Sequence, residues 1–104
     1  MNKEKWNRLS YADQVSNVGS EISRAIRCKK AGKKVRSMQR YEYALQLIDL
    51  TKKDLKNEEK FHELRMAEWK LREYMSDENN EISEENVMEF WDSEIENFLK
   101  AKCK

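Results

Sequence analysis

Proline is absent from this 104-residue chain, glycine occurs only at Gly19 and Gly32, cysteine only at Cys28 and Cys103, and histidine only at His62. With the strongest breakers so scarce, no hairpin signature occurs and an all-α fold is expected. Two cysteines are too few for a disulfide framework. Together with one histidine they are also too few for a four-ligand zinc site within one chain, so free thiols and no metal are expected. No segment approaches the ~18 apolar residues of a membrane span, and MNKEKWNRL lacks the apolar run of a signal peptide, which predicts a cytoplasmic protein without a membrane partner. Catalytic signatures are missing too. There is no Gly-rich phosphate loop, no H-E-x-x-H and no G-x-S-x-G, and a di-iron bundle would need more histidines than His62. A non-enzymatic protein with no cofactor and no small-molecule substrate is expected.

Leu, Ile, Val and Phe number 20 and charged residues make up 39% of the chain, a balance that leans toward disorder. Two features oppose it: a net charge of only +1 and apolar residues set at helical period, to which three Trp, four Tyr and five Met add bulk. The length fits one domain over 1–104 with one core, burying about 65% of its unfolded surface.

Ser10 followed by Asp13 predicts a helix start, and Gly32 stands where a C-terminal cap glycine belongs, giving a first main helix from about Tyr11 to Ala31. Its core stripe is Tyr11, Val15, Val18, Ile22 and Ile26, preceded by a short lead-in that packs Trp6. The second helix is expected over Val35 to Leu55, with Met38, Tyr41, Leu45 and Ile48 inward. Asn57 is expected to cap a third from Glu58 to Met75, with Phe61, Leu64, Leu71 and Met75 inward. Ser83 caps a fourth, with Ile82 and Val87 as a hydrophobic staple and Val87, Trp91, Ile95, Phe98 and Leu99 on its face. Four amphipathic helices with short connections predict an antiparallel four-helix bundle.

Three features exceed what a simple bundle needs. Ala12, Ser16, Gly19, Ser20 and Ser23 form a second stripe of small residues, where a neighbouring helix or a partner approaches closely or the helix breaks at Gly19. Tyr43, Leu47 and Leu50, and again His62, Met66 and Trp69, repeat the spacing i, i+4, i+7 away from the core stripes. They predict either a layered arrangement around a central second helix or an interface between copies of the chain. His62 then belongs to that interface, since no nucleophile stands at a spacing to use it.

The third feature is charge. Residues 1–60 carry a net +7 and residues 61–104 a net −6. Eight cations, Arg24, Arg27, Lys29, Lys30, Lys33, Lys34, Arg36 and Arg40, surround the Gly32 turn with no carboxylate among them. Ten acids and no base occupy 73–96. The two runs either neutralise each other or meet partners: nucleic acid for the basic turn, another protein for the acidic helices.

WNRLSYADQVSNVGSEISRAI followed by RYEYALQLIDLTKKD resembles a group of small bacterial and mobile-element proteins of about this length. The pattern centres on Asn17, Gly19, Ser20, Glu21 and Arg24, then Ala44, Leu45, Leu47, Ile48, Asp49 and Leu50. Size, charge and helix content are also similar to the accessory bundle proteins that assist reverse transcriptases of diversity-generating retroelements. That resemblance implies oligomerisation and nucleic-acid binding.

Overall fold

A computed structural model describes residues 2–76 and 82–102. Cys103 and the acids Asp77, Glu78 and Glu81 lie outside them. Among the described residues every regular element is helical: α1 (Lys3–Arg8), α2 (Tyr11–Lys30), α3 (Lys34–Lys53), a 3-10 turn (Leu55–Lys60), α4 (Phe61–Met75) and α5 (Glu84–Lys102). No described helix is long and apolar enough to cross a membrane.

The local chemistry explains the boundaries. Ser10 Oγ accepts from the Asp13 amide at 3.1 Å and opens α2. Gly32, at φ 76°, closes it: the Lys33 amide donates to Cys28 O at 2.9 Å and the Gly32 amide to Lys29 O at 3.1 Å, the paired bonds of a Schellman turn. Only glycine takes that left-handed backbone without a Cβ clash, so the chain reverses there and α3 returns beside α2. At α5, Ser83 Oγ accepts from the Asn86 amide and Asn86 Oδ1 from the Ser83 amide, a reciprocal cap with asparagine in the usual glutamate position. Val87 is buried and Ile82 packs, partly buried, against the core that contains it.

α2 packs on α3 and on α5, and α4 packs on the same two helices. Side-chain pairs set the directions. Ser37 Oγ donates to Ala25 O at 3.0 Å across α2 and α3, Lys30 pairs with Glu84 across α2 and α5, and Lys52 reaches Glu68 at 2.8 Å across α3 and α4. The core runs through Trp6, Val15, Val18, Ile22, Ile26, Ala44, Leu47, Ile48, Leu64, Leu71, Val87 and Trp91.

α3 departs most from expectation. Met38, expected inward, is 49% exposed, and Leu47, expected on an outer interface stripe, is 2% exposed. The reason is position. α3 lies between α2 and α4 with α1 against it, so it buries a broad sector that includes Ser37, Ala44, Leu47, Ile48 and Thr51. A central second helix therefore accounts for Leu47, and Tyr43 and Leu50 pack half-buried on the same core. Phe61, Phe98 and Leu99 are exposed rather than inward. Asn57 caps no helix; it is buried in the 3-10 turn, which Asp54 opens by accepting from the Lys56 amide.

Gly19 is buried against α5, which corrects its expected place at an interface between chains. A Cβ there would lie 3.7 Å from Trp91 Cβ and 3.9 Å from Ile95 Cδ1, ordinary contact distances. Alanine therefore fits, and its better helix propensity should show: Gly19→Ala is expected to raise stability by about 0.5–1 kcal/mol in urea unfolding, and a loss would mean α5 sits closer than described.

Two carboxylates, the buried Asp54 and the partly buried Glu68, tie the elements together. Burial pushes the Asp54 carboxyl up, but hydrogen bonds from Lys56 and Gln14 outweigh it and hold it below the usual range. Burial likewise raises Glu68, and Lys52 and Arg72 overcome it. Groups held below their unfolded values stabilise the fold at neutral pH and lose that contribution as pH falls below about 4. The melting temperature should therefore drop between pH 7 and pH 3, and drop less in Asp54→Asn; an acid-independent melting temperature would contradict this.

Candidate anion-binding cleft

Because the chain reverses at Gly32, the last turns of α2 lie beside the first turns of α3. On α2, Arg24, Arg27 and Cys28 share a face by their three- and four-residue spacing; on α3, Arg36, Gln39, Arg40 and Tyr43 do the same. Together they line one open cleft of about 810 Å³.

A single carboxylate serves its four guanidiniums. Glu21, 7% exposed at the base of the helix pair, accepts from Arg24 Nη1 at 2.8 Å and from Arg40 Nη1 at 3.2 Å. Both arginines remain about half exposed, so their other N–H groups are open to solvent. Arg27 and Arg36 make no ion pair among the described residues. The start of α3 adds positive potential: its first turn holds no acid and its N-cap, Lys33, makes no side-chain capping bond.

The eight cations of the basic run thus divide. Arg24, Arg27, Arg36 and Arg40 converge on the cleft. Lys33 and Lys34 stand exposed at its end with Val35. Lys29 turns toward α4, where its amine donates to Tyr74 O at 2.8 Å and lies 4.6 Å from the Tyr74 ring centre. Between the basic and acidic runs, Lys30 and Glu84 form an ion pair.

The interface candidates divide as well. Tyr43 lines the cleft, so an aromatic that the linear run lacks is supplied by the next turn of α3. Leu47 is core and Leu50 half-buried. On α4, His62 is exposed edge-on to Phe61, and Met66 and Trp69 are 56% and 50% exposed, an outward stripe as expected.

The sequence alone does not place Glu21, Gln39 or Cys28 at the cleft that they line or anchor. The spacing of Glu21 to Arg24 signals a paired acid and base on one helix. That the acid also reaches Arg40 depends on how α2 and α3 pack. Among the described residues no three His, Cys, Asp or Glu side chains gather as metal ligands. No protein-family model matches the chain, and comparison with curated proteins and with solved structures gives no match.

Proposed function

We propose that this chain is a non-enzymatic accessory protein, an antiparallel four-helix bundle, that grips the phosphates of a nucleic acid in its arginine cleft as part of a larger nucleoprotein complex. The observation that carries the reading is the convergence of four guanidiniums from two helices on one cleft, where among the described residues Glu21 pairs with two of them. Guanidinium is suited to the task, since its planar fork donates two parallel hydrogen bonds to a phosphate. Tyr43 offers a ring for base stacking and Gln39 a neutral donor and acceptor. The cyclic packing of α2, α3, α4 and α5 supports the bundle.

Fluorescence polarisation with labelled single-stranded RNA and a labelled DNA duplex over a salt series tests the reading. About four phosphate contacts predict near-micromolar binding whose log Kd climbs with log salt at a slope of about 3 to 4. No binding at low salt would end the proposal.

A second reading rests on α5. Glu85, Glu89 and Asp92 form no ion pair among the described residues, a surface suited to a basic protein partner.

A further inference from the structure

The two ends of the arginine cleft differ in chemistry. The bonds from Ser37 to Ala25 and from Arg40 to Glu21 fix the antiparallel register of α2 and α3. In that register Arg27 and Arg36 lie toward the Gly32 turn, Arg24, Gln39 and Arg40 follow, and Tyr43 closes the far end. On α3, Arg36, Arg40 and Tyr43 are spaced four and three, which sets them in one line along the cleft wall. The line is about 10 Å long at 1.5 Å per residue.

The end near the turn carries an excess of positive charge. Arg27 and Arg36 are exposed and make no ion pair among the described residues, and the exposed Lys33 and Lys34 stand beyond them. At the far end the Glu21 carboxylate holds one N–H edge of Arg24 and one of Arg40, offsetting one of their two charges. The other lining groups there are an amide, Gln39, and a half-buried phenol ring, Tyr43. A ligand that satisfies the whole cleft therefore presents an anion at one end and a flat apolar face, edged with polar groups, at the other.

An unpaired nucleotide chain does this, because each base is free to turn away from its phosphate and lie on an aromatic ring. A duplex does not. Its bases are stacked and paired inside, so it offers phosphates to the arginines and leaves the Tyr43 ring bare. Its cylinder is also wider than a groove between two helices packed at the usual ~8–10 Å.

We propose that the cleft takes single-stranded nucleic acid in preference to duplex, with phosphates on Arg27 and Arg36 and a base stacked on Tyr43 with its edge toward Gln39. At the ~3.4 Å per nucleotide of a stacked strand, the cleft holds about three nucleotides. The inference rests on the nucleic-acid reading given above. Within it, Tyr43 sets the preference for single strands and the arginines set the salt dependence, so the two roles separate by measurement.

Fluorescence polarisation with one labelled RNA of about 12 nucleotides, used single-stranded and annealed to its complement, tests this over a salt series with the wild type, Tyr43→Leu and Tyr43→Phe. The wild type should bind the single strand at least about tenfold more tightly than the duplex. Tyr43→Leu should lose about tenfold in single-strand affinity with an unchanged slope of log Kd against log salt, and should bind the duplex as the wild type does. Tyr43→Phe keeps the ring and should keep the affinity. Circular dichroism checks that each variant is folded; should Tyr43→Leu melt early, the wild-type comparison of single strand with duplex still decides. A duplex bound as tightly as the single strand, or a folded Tyr43→Leu that binds the single strand like the wild type, would overturn the inference and leave the arginine cleft as a phosphate site. Absence of binding to both forms at low salt would instead remove the nucleic-acid reading, and the inference with it.

Discussion

Gln14→Leu should cost about 3 kcal/mol of stability, which for a domain of this size lowers the melting temperature by roughly 12–24 °C. Gln14 is fully buried, and its side chain is bonded on every side. Nε2 donates to Trp6 O and to Asp54 Oδ2, both at 2.9 Å, and Oε1 accepts from Asn57 Nδ2 at 2.8 Å. The network continues from Asn57 Nδ2 to Thr51 O at 2.9 Å and from Trp6 Nε1 to Thr51 Oγ1 at 3.0 Å. One amide thus joins α1, α2 and the 3-10 turn. Leucine fills much of the space but leaves a carboxylate, a carbonyl and an amide buried with a partner lost, and orphaned buried groups cost more than the bonds themselves contribute. Thr51→Val removes the acceptor for Trp6 Nε1 and the hydroxyl that donates to Leu47 O at 2.7 Å, and should cost about 1–2 kcal/mol. Urea unfolding measures both; a loss below about 1 kcal/mol for Gln14→Leu would show that water replaces the network.

Arg27→Glu with Arg36→Glu should weaken nucleic-acid binding about 100-fold at low salt and lower the slope of log Kd against log salt by roughly 2, one unit or slightly less for each lost phosphate contact. These two arginines are chosen because neither holds an ion pair among the described residues, whereas Arg24 and Arg40 neutralise the buried Glu21 carboxylate. Reversing an unpaired surface charge leaves the fold within about 0.5 kcal/mol, so lost affinity with an unchanged melting temperature locates binding in the cleft. Lys29→Glu would be a poor probe, because Lys29 is committed to Tyr74. Undiminished binding in the double variant would move the nucleic-acid surface elsewhere and leave the cleft without a role in it.

Much of the helix plan was legible because caps and turn residues act locally. Ser10, Gly32 and Ser83 do their work through bonds within a few residues, so their meaning is carried by adjacent sequence. The N-terminal network was not legible. Gln14, Asp54 and Asn57 are polar residues whose ordinary place is solvent or a cap. Only the meeting of α1, α2 and the 3-10 turn, 40 or more residues apart in Gln14's bonds to Asp54 and Asn57, makes them core. The outer stripes show the same division. Identical spacing on α3 and α4 had opposite outcomes, since α3 is covered on both flanks while the Met66–Trp69 side of α4 has no neighbour among the described helices.

By itself the sequence determined a helical chain, the starts of the helices capped by Ser10 and Ser83 and the stop at Gly32, and the presence of a basic segment around Gly32 and an acidic C-terminal third, because periodicity, capping and charge are properties of neighbours along the chain. The tertiary structure decided which cations share a cleft, that Glu21 anchors two of them, and that Gly19 is covered by α5. Those outcomes depend on how the helices are rotated and set against each other, and that is settled by the packing of residues far apart in sequence.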